Sequence, residues 1–145
     1  MKLVLDTDVI VAALRSPKGA SAALLLAADC GRVTLLATVT LCIEYEAVCT
    51  RAEQILASGG KRGDVDAFLD VIIDLVVPVD PWFLWRPQLR DAGDEMVLEA
   101  AVNGRADALV SFNRADYQPA AQAFGMPILL PAEALQALRP FWRRQ

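Results

Sequence analysis

Short apolar runs recur along this chain: Lys2–Leu5 (KLVL), 33–37 (VTLLA), 76–79 (VVPV), 108–111 (ALVS) and 127–129 (PIL). The stretches between them have helical patterning, and strands that alternate with helices imply a parallel sheet covered on both faces. The expected fold is therefore α/β. The first run stops at Asp6-Thr7-Asp8, after which VIVAAL resumes as a helix. Ser16-Pro17-Lys18-Gly19 breaks that pattern, and Ala20 to Asp29 reads as a second helix that stops near Gly31. Thr38 or Thr40 can cap a long helix reaching about Leu56, with Ser58-Gly59-Gly60 ending it. Asp64 can cap the next, over Val65 to Leu75. Pro78 cannot donate to a central ladder, which makes 76–79 an edge strand. Asp80 to Asp91 reads as a loop with Trp82, Phe83 and Trp85, Asp94 to Asn103 as a helix stopped by Gly104, Ala120 to Phe124 as a short helix, and Pro131 to Leu138 as the last one.

The length of 145 residues suits one domain over residues 1–145 with a single core. The chain contains no histidine. That excludes Ser-His-Asp and Cys-His hydrolases, His-ligated zinc and histidine general bases, leaving carboxylates, hydroxyls, amines and thiols. The net charge of -4 argues against a non-specific nucleic-acid coat. It leaves a nucleic-acid substrate open, because a divalent cation inverts the local sign of an acidic pocket. Cys30, Cys42 and Cys49 make an odd count in a chain opening MKLVLD, without an apolar signal segment or a run long enough to span a membrane. The expectation is a cytoplasmic protein with reduced thiols.

In open parallel sheets the functional crevice lies outside the carboxyl ends of the strands. Asp6 follows the first strand directly, and Asn113 with Asp116 follows the strand at 108–111. Asp94, Glu95 and Glu99 lie early in the helix before that strand, and Glu44 early in the helix after the second. Carboxylates at the rim of an apolar core are costly without a partner, so such a cluster suggests a bound Mg2+ or Mn2+. Such an ion activates water and stabilises the leaving oxygen in phosphodiester hydrolysis. Plainer roles stand beside this one: Asp8 as an N-cap, Glu44 as a solvated helix residue, Glu95 and Glu99 as a polar face one turn apart.

Leu3-Val4-Leu5-Asp6-Thr7-Asp8-Val9, Glu44 after Thr38-Val39-Thr40-Leu41, the segment Asp94 to Ala101, and Leu109 to Asn113 with Asp116-Tyr117 together resemble the PIN-domain family. The match is closest to the VapC-type toxins of toxin-antitoxin systems and extends from Lys2 to about Leu138. The resemblance implies a three-layer α/β/α sandwich around a parallel sheet. It further implies an Mg2+- or Mn2+-dependent endoribonuclease acting on single-stranded RNA, often a homodimer and often neutralised by a cognate antitoxin protein. Carried over by position, Asp6, Glu44 and Asp94 are the first three acids of the site, with Glu95 the alternative for the third. Glu99 falls where this subgroup commonly has a glutamate, and Asp116 lies in the segment of the fourth acid. Two positions depart from the pattern: Asp8 stands where the family usually has Asn, and Asn113 where it usually has an acid, so that Asn113 through its carbonyl, or Asp116, takes the fourth place.

Two readings compete. Asp6-Thr7-Asp8-Val9 also resembles the first motif of haloacid-dehalogenase-type phosphatases. That chemistry, like a phosphoacceptor receiver domain, needs a lysine late in the chain, and Lys2, Lys18 and Lys61 are the only lysines. A PIN-like module that binds partners without catalysis is the other, favoured by Asn113. The Trp82 to Trp85 loop can stack single-stranded bases or bury itself at a dimer interface.

Overall fold

The structure is a computed structural model and describes residues 1–82 and 92–142. Its elements are β1 (Lys2–Leu5), α1 (Thr7–Arg15), α2 (Ala20–Asp29), β2 (Thr34–Ala37), α3 (Val39–Cys49), α4 (Ala52–Ser58) and α5 (Arg62–Leu75). There follow β3 (Val76–Pro78), α6 (Ala92–Asn103), β4 (Ala108–Val110), α7 (Arg114–Phe124), β5 (Ile128–Leu129) and α8 (Pro131–Trp142). The strands pair in the order β3-β2-β1-β4-β5, every pair parallel. This is the expected three-layer α/β/α sandwich. Leu3, Val4, Leu5, Leu109 and Val110 are buried because both faces of the central strands are covered. Helix α2 packs on both α1 and α8, while α6 packs on β1, β2 and β4 and against α7. Right-handed crossovers require that division, since the chain steps from β1 to β2 and β3 on one side and from β3 to β4 and β5 on the other.

The chain leaves β1 in one direction and returns beside it as β4, so β1 and β4 flank the topological switch point. Their register pairs Leu3 with Ala108, Val4 with Leu109 and Leu5 with Val110, and the Asp6 amide still donates to the Val110 carbonyl at 2.9 Å. One residue further, Asp6 and Ser111 emerge side by side.

Several expected boundaries move. Thr38, not Thr40, caps α3, its Oγ1 accepting the Leu41 amide at 3.1 Å. The long helix expected to reach Leu56 breaks after Cys49, because the Thr50 hydroxyl bonds the Glu46 carbonyl at 2.7 Å and Arg51 is extended, opening α4. Asp64 is not the cap of α5 but its third residue, its Oδ2 accepting the Lys61 amide at 2.8 Å. The helix expected over Ala120 to Phe124 starts six residues earlier at Arg114 and carries Pro119 inside it, the lost backbone bond being offset by burial of Tyr117 and Ala120. Gly104 follows α6 as expected, yet the left-handed residue is Arg105, with φ of 52°. The Arg105 and Ala106 amides reach back to the Val102 and Ala101 carbonyls, a Schellman ending. Gly104 is required for space: a Cβ there would stand 2.8 Å from the Ala100 carbonyl oxygen and 2.9 Å from Leu36 and Val79 side-chain carbons.

Strand β3 lies at the sheet edge, as Pro78 requires. Of the aromatic loop, Trp82 is exposed, and Phe83 and Trp85 lie outside the described residues. All three cysteines are free, with Cys49 buried, Cys42 half-buried and Cys30 exposed. No single described helix is long and apolar enough to cross a membrane.

Candidate active site

Asp6 occupies the N-cap position of α1 with extended backbone, but its carboxylate makes no capping bond. It turns across the switch point instead, and Oδ2 accepts the Ser111 hydroxyl at 2.7 Å. The same hydroxyl accepts the Asn113 amide at 2.9 Å, so Ser111 is fixed from both sides. Only 6% of Asp6 is exposed. Burial pushes its carboxyl above the usual carboxylate range, the Ser111 and Tyr117 hydroxyls and the Thr7 amide oppose that shift, and the charge of Asp116 adds to it.

Asp8, expected as an N-cap, is the second residue of α1 and caps nothing. Its Oδ2 accepts the Phe112 amide and the Asn113 Nδ2, both at 3.1 Å, while Oδ1 is buried with no partner among the described residues. Burial, then the charges of Asp6 and Asp94, push this carboxyl up to about 7. The signal that identifies Asp8 is its contact with Asn113 across 105 positions of sequence, which no local pattern carries.

The remaining acids come from three helices. Asp94, in the first turn of α6, accepts the hydroxyl of fully buried Tyr117 at 3.2 Å. Burial and the charges of Asp6 and Asp94 push that phenol well above its ordinary value, so it stays a donor. Asp116, on the first turn of α7, is exposed at the rim and close enough for its charge to act on Asp6. Asp6, Asp8, Asp94 and Asp116 thus share one electrostatic neighbourhood. Glu95 and Glu99 are not a solvated face: at 4% and 6% exposure they are buried one turn apart on α6, which packs against the sheet. Glu44 is half-buried on α3, and its side chain hydrogen-bonds none of the described residues. Its neighbour Tyr45 donates to the Leu5 carbonyl, tying α3 to the end of β1 beside Asp6.

The donor set suits a hard cation, since every group is an oxygen and one of them, Asp8 Oδ1, is buried without a partner among the described residues. Among the described residues no three acidic or thiol side chains already stand in ligating positions, so an ion here would draw side chains inward. An open parallel sheet with carboxylates gathered where β1 and β4 part defines the class: an α/β protein with an acidic cluster at its switch point. The family model described as PIN domain matches residues 2–115, and the chain belongs to the PIN domain family. No curated protein and no solved structure matches it.

Proposed function

We propose that the protein is a Mg2+- or Mn2+-dependent endoribonuclease that hydrolyses phosphodiester bonds in single-stranded RNA, and that it is the toxin of a toxin-antitoxin pair. The observation that carries the reading is the buried Asp6 carboxylate, held by Ser111 at the switch point with Asp8, Asp94 and Asp116 around it. In the proposed site Asp6, Glu44 and Asp94 would hold the cation, and Glu99 and the Asn113 carbonyl oxygen would be further oxygen donors to it. The Asn113 amide nitrogen is already engaged by Asp8, which leaves the carbonyl end as the donor. When bound, the ion supplies a water of lowered pKa and neutralises charge at the leaving oxygen. The Ser111 hydroxyl orients Asp6, the Tyr117 hydroxyl orients Asp94, and Asp116 at the exposed rim accepts the proton of the attacking water.

The proposed setting is the cytoplasm, and the proposed partners are a second copy of the chain and an antitoxin. Exposed Val39, Ile43, Ile73 and Val77 near edge strand β3 support a protein contact on that side. A PIN-like binding module without catalysis is the second reading, favoured by the amide at Asn113 and the absence of a preformed ligand trio among the described residues. Cleavage of a labelled single-stranded RNA in Mn2+, lost in EDTA and lost in Asp6→Asn, is the expected result. Cleavage persisting in excess EDTA refutes the metal mechanism, and no cleavage in Mn2+ favours the binding module.

A further inference from the structure

Helix α7 carries a second feature that the acid pocket does not use. Arg114, Gln118 and Gln122 recur every fourth residue and so share one face, about 12 Å long from end to end. They line an open pocket of about 310 Å³ whose remaining walls are Ala121, Met126 and Ile128. That volume is at the small end of ligand pockets, enough for one compact unit rather than a run of residues. One end is cationic, the middle carries two carboxamides, and Met126 and Ile128 are apolar.

The cationic end is held in place. Glu133 accepts Arg114 Nη1 at 3.0 Å through Oε1, and the same oxygen accepts the Leu130 amide at 2.8 Å. The guanidinium is therefore anchored through one nitrogen, and its Nε and Nη2 donors bond none of the described residues. Both partners of this pair are more than two-fifths exposed, so the pair contributes little and an anion can share the guanidinium. Arg114 also directly follows Asn113, whose amide touches Asp8. The residue that opens α7 thus directly follows one bonded to the acid cluster.

We propose that this pocket is a nucleotide subsite for the RNA strand: Arg114 holds a backbone phosphate next to the scissile one, and Gln118 and Gln122 hydrogen-bond the base edge above the apolar Met126 and Ile128 floor. The inference rests on the ribonuclease reading and assigns to it a specificity determinant. Carboxamides present a donor and an acceptor together, which discriminates between bases, whereas a guanidinium placed on a phosphate carries no sequence information.

The test uses the full chain and 5′-labelled oligo-A, oligo-C and oligo-U RNA, with binding followed by fluorescence anisotropy in Ca2+ and cleavage in Mn2+. Arg114→Ala is expected to weaken binding of all three about tenfold and to lower the slope of log K against log salt by ~0.7, the value for one phosphate contact on a single strand. Gln118→Ala/Gln122→Ala is expected to leave that slope unchanged and to flatten the preference among the three oligomers. Alanine is a strong helix former at these exposed positions, so both variants keep the fold, which melting by circular dichroism checks. If the wild type neither binds nor cleaves RNA, the ribonuclease reading fails and the subsite with it. If the wild type cleaves and both variants match it in affinity, slope and base preference, the subsite alone is refuted, the result a protein-docking role for this pocket would give.

Discussion

Asp8→Asn should stabilise the metal-free protein, and by an amount that depends on pH. An acid whose carboxyl rises from 3.8 to about 7 on folding binds its proton more tightly in the native state. Between those values the folded chain holds a proton that the unfolded chain has released, so stability falls as pH rises through the window and stays low above it. At ~1.4 kcal/mol per pH unit the full shift bounds the loss at about 4 kcal/mol. Partial exposure of Asp8 and solvent screening reduce this to about 2 kcal/mol. The asparagine carbonyl keeps the Phe112 bond of Oδ2 and carries no charge against Asp6 and Asp94. Thermal unfolding followed by circular dichroism in EDTA should show Asp8→Asn melting about 6 °C above the wild type at pH 8, with most of that gap gone at pH 5. An equal gap at both pH values, or a lower melting point for the variant at pH 8, would refute the claim that a buried like-charge cluster surrounds Asp8.

Three further substitutions probe other links. Gly104→Ala should cost about 2 kcal/mol in a denaturant titration, because its Cβ meets the Ala100 carbonyl and the Leu36 and Val79 side chains; an unchanged midpoint would show that the helix end yields freely. Tyr117→Phe should destabilise the fold by about 1 kcal/mol and weaken Mn2+ binding in titration calorimetry, because the Asp94 carboxylate loses the donor that orients it. Asn113→Asp places a second carboxylate against Asp8 Oδ2, so the apo protein should melt lower at pH 8 and Mn2+ should restore more stability than it does in the wild type; no difference in that recovery would mean that residue 113 lies outside the site.

Which parts of this molecule are legible in the sequence follows from the range of the forces involved. The strands were readable because continuous apolar runs of this length are stable only when buried on both faces, and the placement of Asp6 at the edge follows from where KLVL stops. Pro78 identified the edge strand through one missing donor. The break between α3 and α4 was hidden because it depends on a single rotamer, the one that brings the Thr50 hydroxyl to Glu46. Helix α7 reaches back beyond the expected Ala120 start because buried Tyr117 holds the turn ahead of Pro119 in place. Asp8 was misread for a related reason: a capping residue and a pocket acid share the same local pattern, and only packing against β4 separates them. The buried setting of Glu95 and Glu99 was likewise invisible, since an i, i+4 pair of acids reads as solvated until the helix face it lies on is known.

The central claim is that the carboxylates at the ends of β1 and α6 bind a catalytic divalent cation. A crystal grown or soaked in Mn2+ tests it most directly, through the anomalous signal of the metal. The expected result is a peak about 2.1 Å from carboxylate oxygens of Asp6 and Asp94, beside the Ser111 hydroxyl at the β1 and β4 ends. A protein with no peak there at saturating Mn2+, or with its metal bound elsewhere, would contradict it.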